Sequence, residues 1–287
     1  MTLVFIHGIA QDPDPGHAGA ITESWRGALA KHDGDGRIDA QPRLLCYYGD
    51  ILHRYSRQRR LPHWADPVSL MTGADGGLML DLLIEIVQSV DFRLLGLPAP
   101  PPSMLVIADT RDFLGPISAY LSLLPADLIA LLRRFLLEAD IYFTTPAAAA
   151  EIDTRVLHTL GPALAAGDRP VVVGHSLGSV IAWKLLAQWE AAGRAGQVRQ
   201  FVTMGSPLAL RTIRKRAPQP FRRPAFVAEW RNYYAATDLV AGGQGLPLDG
   251  LTYTHNHRRR GMPFPYHLAE DYLDHAPLAE NLAAVLA

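Results

Sequence analysis

Residues 171–182 read VVVGHSLGSVIA, and this stretch decides the fold. Val171, Val172 and Val173 form a short β-branched run of the kind a buried strand uses. After Leu177 the period changes. Ile181, Leu185 and Trp189 recur every four residues, so residues 177–192 predict an amphipathic helix. Between strand and helix lies Gly174-His175-Ser176-Leu177-Gly178, which fits Gly-x-Ser-x-Gly and occurs once in the chain. Chance alone would give about 0.07 such matches at this composition. The physics explains the glycines. A turn this tight forces the serine into strained backbone geometry, and small residues two before and two after avoid clashes. The hydroxyl then stands at the strand's carboxyl end, and the helix N-terminus stabilises negative charge developing there. The plainer alternative is a serine that only caps the helix. The strand–turn–helix setting favours Ser176 as a nucleophile.

The elements around this centre alternate. Strands are predicted at residues 3–6, 43–48, 170–173, 199–204 and 228–235, with a sixth at 251–254. Helices are predicted at residues 20–32, 151–166 and 268–286, with Pro162 a late kink in the second. Strands alternating with helices imply parallel pairing and helices on both faces of the sheet. Residues 51–145 break the rhythm. The segment opens on a basic stretch, HRYSRQRR, then holds Leu-rich helical stretches at 78–90 and 117–137 separated by a Pro-rich turn. It reads as an insertion folded over one end of the sheet, too helical for a structureless loop. The whole chain, 1–287, is read as one domain carrying that cap.

Composition sets limits on function. Of 287 residues 49% are hydrophobic and 19% charged, enough apolar material for a large core. Lys plus Arg is 27 and Asp plus Glu is 28, a net charge of −1, without the basic excess of a nucleic-acid binder. Cys46 is the one cysteine, so the chain holds neither an internal disulfide nor a multi-cysteine metal site. No run of 18 apolar residues offers a transmembrane span, and the N-terminus lacks the basic start of a signal peptide, which points to the cytoplasm.

From the serine motif the chain resembles the α/β-hydrolase family, and within it the lipase-like serine esterases. Those also carry a Thr-x-Gly-Ser-Pro segment after the next strand, here Thr203-Met204-Gly205-Ser206-Pro207. The resemblance covers residues 1–50 and 146–287 and omits the insertion. It implies an α/β-hydrolase fold with a mostly parallel sheet of about six strands. It also implies a nucleophile–acid–histidine order and an oxyanion hole of two backbone amides.

A serine nucleophile needs a base, and the base needs a carboxylate to hold its tautomer. Asp238 follows the aromatic strand run WRNYYA and fits the family's Asp-x-Val pattern, whereas its rival Asp249 follows no strand. Among late histidines, His267 stands directly before the closing helix, where the family places its base. His255 and His257 lie in the basic stretch HNHRRR, and His275 falls within the closing helix. The oxyanion donors are read as the amide of Leu177, next to the nucleophile, and that of Ile9 in the loop after the first strand. Gly8 lets that loop come close, and His7 is read as structural. The His-x-His pair lacks a third ligand at metal spacing, so neither metal nor organic cofactor is expected.

The resemblance therefore implies hydrolysis of carboxylic esters through an acyl-enzyme, on a small-molecule or lipid ester. The apolar insertion, with Leu78, Met79, Leu82, Leu83, Ile86, Leu128, Leu131 and Leu132, favours an apolar acyl group, unless those side chains simply pack on the core. An acyltransferase with the same residues and a non-catalytic binding module are the alternatives. Basic runs at Arg57, Arg59, Arg60, Arg211–Arg216, Arg222, Arg223 and Arg258–Arg260 read as solvated surface, or as attraction to phosphate-bearing substrates or an anionic membrane surface.

Overall fold

The computed structural model describes residues 1–8, 14–58, 77–101, 119–165, 167–247 and 253–287. Six strands form one sheet: β1 (Leu3–Ile6), β2 (Arg43–Cys46), β3 (Val171–His175), β4 (Gln200–Met204), β5 (Trp230–Ala235) and β6 (Thr254–Arg259). Their spatial order is β2-β1-β3-β4-β5-β6, and all five pairings are parallel. This is an α/β fold, and its topology is compatible with the α/β-hydrolase family. Register is continuous across the centre, with Leu3 opposite both Arg43 and Val171 and Val171 opposite Gln200. The three central strands β1, β3 and β4 are buried at every residue, as parallel strands covered on both faces must be.

Successive side chains of a strand point to opposite faces, and the core divides accordingly. Leu3, Phe5, Val171 and Val173 face one side, under helices α1 (Ala18–Ala30), α8 (Ala269–Leu273) and α9 (Ala276–Leu286). Val4, Ile6 and Val172 face the other, under α2 (Gly49–Ser56), α3 (Gly77–Ser89), α4 (Ala126–Thr144), α5 (Pro146–Ala165) and α6 (Leu177–Ala191). Cys46 is buried on that second side, its thiol 3.9 Å from the Val156 carbonyl.

Three elements differ from the sequence reading. The sixth strand runs from Thr254 to Arg259, so the basic stretch is strand rather than the loop after one. As the outermost strand it keeps polar and charged side chains in solvent, and apolar patterning is absent from it. Residues 251 and 252 and the rival acid Asp249 lie outside the described residues. The closing helix is two helices. The first ends at Leu273, and His275 is the N-cap residue of the second, with Pro277 in its first turn. Of the second Leu-rich stretch, read at 117–137, residues 117 and 118 lie outside the described residues, 119–121 are helical, and after a break a second helix starts at Ala126 with Pro125 as its N-cap.

The insertion packs on the carboxyl end of the sheet. Glu85 of α3 accepts from the backbone N–H groups of Arg211 (2.5 Å) and Thr212 (2.8 Å), in the short helix α7 (Arg211–Arg214) that follows β4. A side chain at Gly243, in the loop after β5, would lie 3.6 Å from the Cα of Val90. Leu78, Met79, Leu82, Leu83, Ile86, Leu128 and Leu132 are all core residues, and Leu131 packs against them. The apolar faces of α3 and α4 are thus taken up by packing and leave no free apolar surplus among the described residues. No helix among those residues is long and apolar enough to cross a membrane.

A leucine this enclosed ties the insertion to the sheet energetically. Leu83 has no exposed surface. Leu83→Ala should lower the unfolding free energy by about 2–5 kcal/mol, the usual cost of emptying such a site. Urea unfolding should remain one transition; a separate early transition would show that the insertion folds independently.

Candidate active site

Ser176 sits between β3 and α6 with φ 52° and ψ −132°. A non-glycine residue in that region carries roughly 1–3 kcal/mol of strain and persists only where its surroundings enforce it. Here they do. The Ser176 N–H donates to the Met204 carbonyl at 3.0 Å. The Ser176 carbonyl accepts from the Ser179 amide at 3.0 Å and from its hydroxyl at 2.5 Å. The flanking glycines are required by contact. A side chain at Gly174 would lie 2.6 Å from the Ser179 Cα, and one at Gly178 would run into the carbonyls of Ile6 and His7.

The structure brings Ser176, His267 and Asp238 into one line. His267 Nε2 is 2.9 Å from Ser176 Oγ, and His267 Nδ1 is 2.8 Å from Asp238 Oδ2. Asp238 follows β5, and His267 precedes α8. All three residues are buried, and Ser176 has no exposed surface. A carboxylate accepts only, so the Nδ1 nitrogen carries the proton and Nε2 faces the serine as acceptor. Two backbone amides, Val240 (2.9 Å) and Ala241 (3.1 Å), donate to the other Asp238 oxygen.

Several contributors carry no sequence motif of their own. The Tyr272 hydroxyl donates to Asp238 Oδ2 at 2.8 Å and accepts from the Ala235 amide at 3.1 Å. Burial, then the nearby Asp238 charge, pushes the Tyr272 phenol well above its usual range, which keeps it a donor. His175 donates from Nε2 to the His267 carbonyl at 2.9 Å and so ties the histidine loop to the serine turn. Burial and the adjacent His267 hold the His175 pKa well below normal. Ser179 and Ser206 join hydroxyls at 2.7 Å, linking the serine turn to the Gly-Ser-Pro segment. Gly205 in that segment has φ 56°, and a side chain there would lie 2.9 Å from Asp238 Oδ2 and 3.1 Å from the His267 ring. Their roles depend on which loops meet at the sheet edge: Tyr272 carries no sequence signal, whereas His175, Gly205 and Ser206 lie inside the two motifs read from the sequence.

The remaining sequence candidates fall elsewhere. His255 lies 3.5 Å from Glu229 on the edge strand. His257 stacks on Tyr233 with ring centres 4.8 Å apart. His275 turns its ring toward Tyr233 from the start of α9. Leu177 opens α6, where the first backbone N–H groups have no intrahelical partner. Ile9 lies outside the described residues, but its neighbour does not: a side chain at Gly8 would lie 2.5 Å from the Ser176 Cβ. Gly8 itself therefore lies directly beside the serine. Among the described residues, no group of three or more His, Cys, Asp or Glu is placed to hold a metal ion.

No protein-family model matches the chain, and no curated protein is significantly similar to it.

His7 anchors the backbone just after β1. The Tyr48 amide donates to His7 Nε2 at 2.9 Å, the His7 Nδ1–H donates to the Gly8 carbonyl at 2.7 Å, and the two rings stack 4.1 Å apart. A ring accepting at one nitrogen and donating at the other is neutral, and burial pushes its pKa from 6.5 down to about 4. Below pH 6.5 the unfolded chain takes up a proton here that the folded chain refuses until about pH 4. The stability from this ring is complete above 6.5 and is lost as pH falls, by an amount on the order of 3 kcal/mol. Urea unfolding at pH 7.5 and 4.5 should show a larger loss in wild type than in His7→Asn, by roughly 2–3 kcal/mol. Equal losses would mean that His7 titrates normally.

Proposed function

We propose that the protein is a serine hydrolase of the α/β-hydrolase type that cleaves carboxylic esters through an acyl-enzyme. The observation that carries this reading is the hydrogen-bonded line Ser176–His267–Asp238, in which every member is buried and correctly oriented.

Ser176 Oγ attacks the acyl carbon as its proton passes to His267 Nε2. The C–O bond to the leaving alcohol breaks, and that alcohol takes the proton from Nε2. Water then attacks the acyl-enzyme, giving a proton to His267 Nε2; the bond between the acyl carbon and Ser176 Oγ breaks, Oγ takes that proton back from Nε2, and the acid is released. Asp238 holds the imidazole orientation and stabilises its charged form in each half-reaction. The Leu177 amide and an amide from the loop after Gly8, which we assign to Ile9, bind the carbonyl oxygen as it becomes negative. Each such donor is worth roughly 3–4 kcal/mol. This chemistry needs no metal or organic cofactor. Since the insertion's described apolar faces are taken up by packing, an apolar acyl preference rests on the lipase-like resemblance alone.

Two measurements test the reading. Wild type should turn over 4-nitrophenyl esters and be labelled at Ser176 by a fluorophosphonate probe. Ser176→Ala should lose turnover by a factor on the order of 10⁶ while keeping its fold. A variant that retains a tenth of the wild-type rate would refute the assignment of the nucleophile.

A further inference from the structure

The basic run Arg258-Arg259-Arg260 has no part in the chemistry above. In the structure it forms, with Leu94, Thr237 and Tyr266, a cavity of about 380 Å³ at the carboxyl end of β6. That volume lies within the range of small-molecule sites. Its position is informative. Thr237 and Tyr266 each precede a member of the Ser176–His267–Asp238 line by one residue, about 3.8 Å along the backbone. The cavity lining therefore lies one residue along the chain from Asp238 and His267, which do not themselves line it. Leu94 comes from the insertion, so the cavity lies where insertion and sheet edge meet.

Its charge is informative too. Several guanidinium groups elsewhere in the basic runs are engaged. Arg222 pairs with Glu190 at 2.6 Å, and Arg214 donates to the carbonyls of Leu208 (2.7 Å) and Ala209 (2.5 Å). Arg223 donates to the Val227 carbonyl. At the cavity the pattern reverses. Arg258 and Arg260 are exposed and make no hydrogen bond or ion pair among the described residues. Arg259 gives one Nη1 bond to the Asp274 carbonyl at 3.1 Å, while its Nε is buried without an acceptor among those residues. Asp271 lies within electrostatic reach of Arg259, so among the described residues one of the three cations is partly balanced and two are not. Guanidinium groups cannot shed their charge and present paired donors that match carboxylate and phosphate oxygens.

We propose that this cavity binds an oxyanion group, a carboxylate or a phosphate, carried by the ester substrate a short spacer away from the scissile carbonyl. The proposal rests on the ester-hydrolase reading and names its substrate class. Leu94 and Tyr266 would cover the spacer, and Arg258 and Arg260 would hold the oxygens.

Three esters of matched length test it: 4-nitrophenyl hexanoate, mono-4-nitrophenyl adipate, which ends in a carboxylate, and 4-nitrophenyl 5-phosphonopentanoate. Wild type should prefer at least one anionic ester over hexanoate by about tenfold or more in kcat/KM, and the better of the two identifies the group. Arg258→Ala/Arg260→Ala should lower that ratio about tenfold, mainly through KM. The absence of anionic preference in wild type, or an unchanged ratio in the variant, would overturn the proposal. A second arm does not depend on turnover. Calorimetric affinity of Ser176→Ala for at least one of the two anionic esters should fall about tenfold when both arginines are replaced, and an unchanged affinity for both would count against the cavity. If no ester is cleaved and the fluorophosphonate leaves Ser176 unlabelled, the hydrolase reading fails, and the calorimetric arm still decides whether the cavity binds the anion.

Discussion

The backbone of Ser176, at φ 52° and ψ −132°, is the constraint on which its surroundings depend. It places the hydroxyl clear of both strand and helix, in reach of His267. It also explains why glycine is needed on three separate segments. Gly174 and Gly178 let the turn close, Gly205 makes room for Asp238 and the His267 ring, and Gly8 lies beside the serine. The excluded atoms belong to neighbouring turns and elements, so three segments converge on the serine, histidine and aspartate because none of them carries bulk there. Hydrogen bonds then fix the spacing: Met204 holds the serine amide, and Ser179 holds its carbonyl.

Much of this arrangement is legible in sequence, and for physical reasons. A β-branched run, a Gly-bracketed serine and a helical period are local features, and they place the strand, turn and helix around Ser176. The resemblance to the α/β-hydrolases, with its chain order and its acid after a strand, then favours Asp238 and His267 over His255 and His257, and the structure brings those two to Ser176. What sequence hides is non-local. Tyr272 is one aromatic residue among ten tyrosines until the fold sets its hydroxyl on Asp238. His175 looks like filler in the motif until its ring meets the His267 carbonyl. β6 is read too early, at 251–254, because an edge strand can be built from charged residues, and the break before His275 escapes because Asp274 and His275 do not interrupt the apolar spacing.

The insertion shows how a correct pattern supports two readings. Its helices are as apolar as the sequence suggests, yet that character is satisfied against α2, α5 and α6 rather than held open for a ligand. The open space at its margin is basic. Packing therefore relocates the question of substrate from the apolar faces of α3 and α4 to the arginines at the end of β6.

Cys46 has a practical consequence. It is the one thiol of the chain, it is fully buried, and burial pushes its pKa up to about 12. A thiol that is neither accessible nor ionised is mute toward maleimides, disulfide reagents and peroxide. The molecule thus behaves as a natural cysteine-free background. A single cysteine introduced at Leu123, a half-exposed position on the insertion, would accept a spectroscopic label without further engineering, and distances from it to the sheet could be followed in solution while ligands are added.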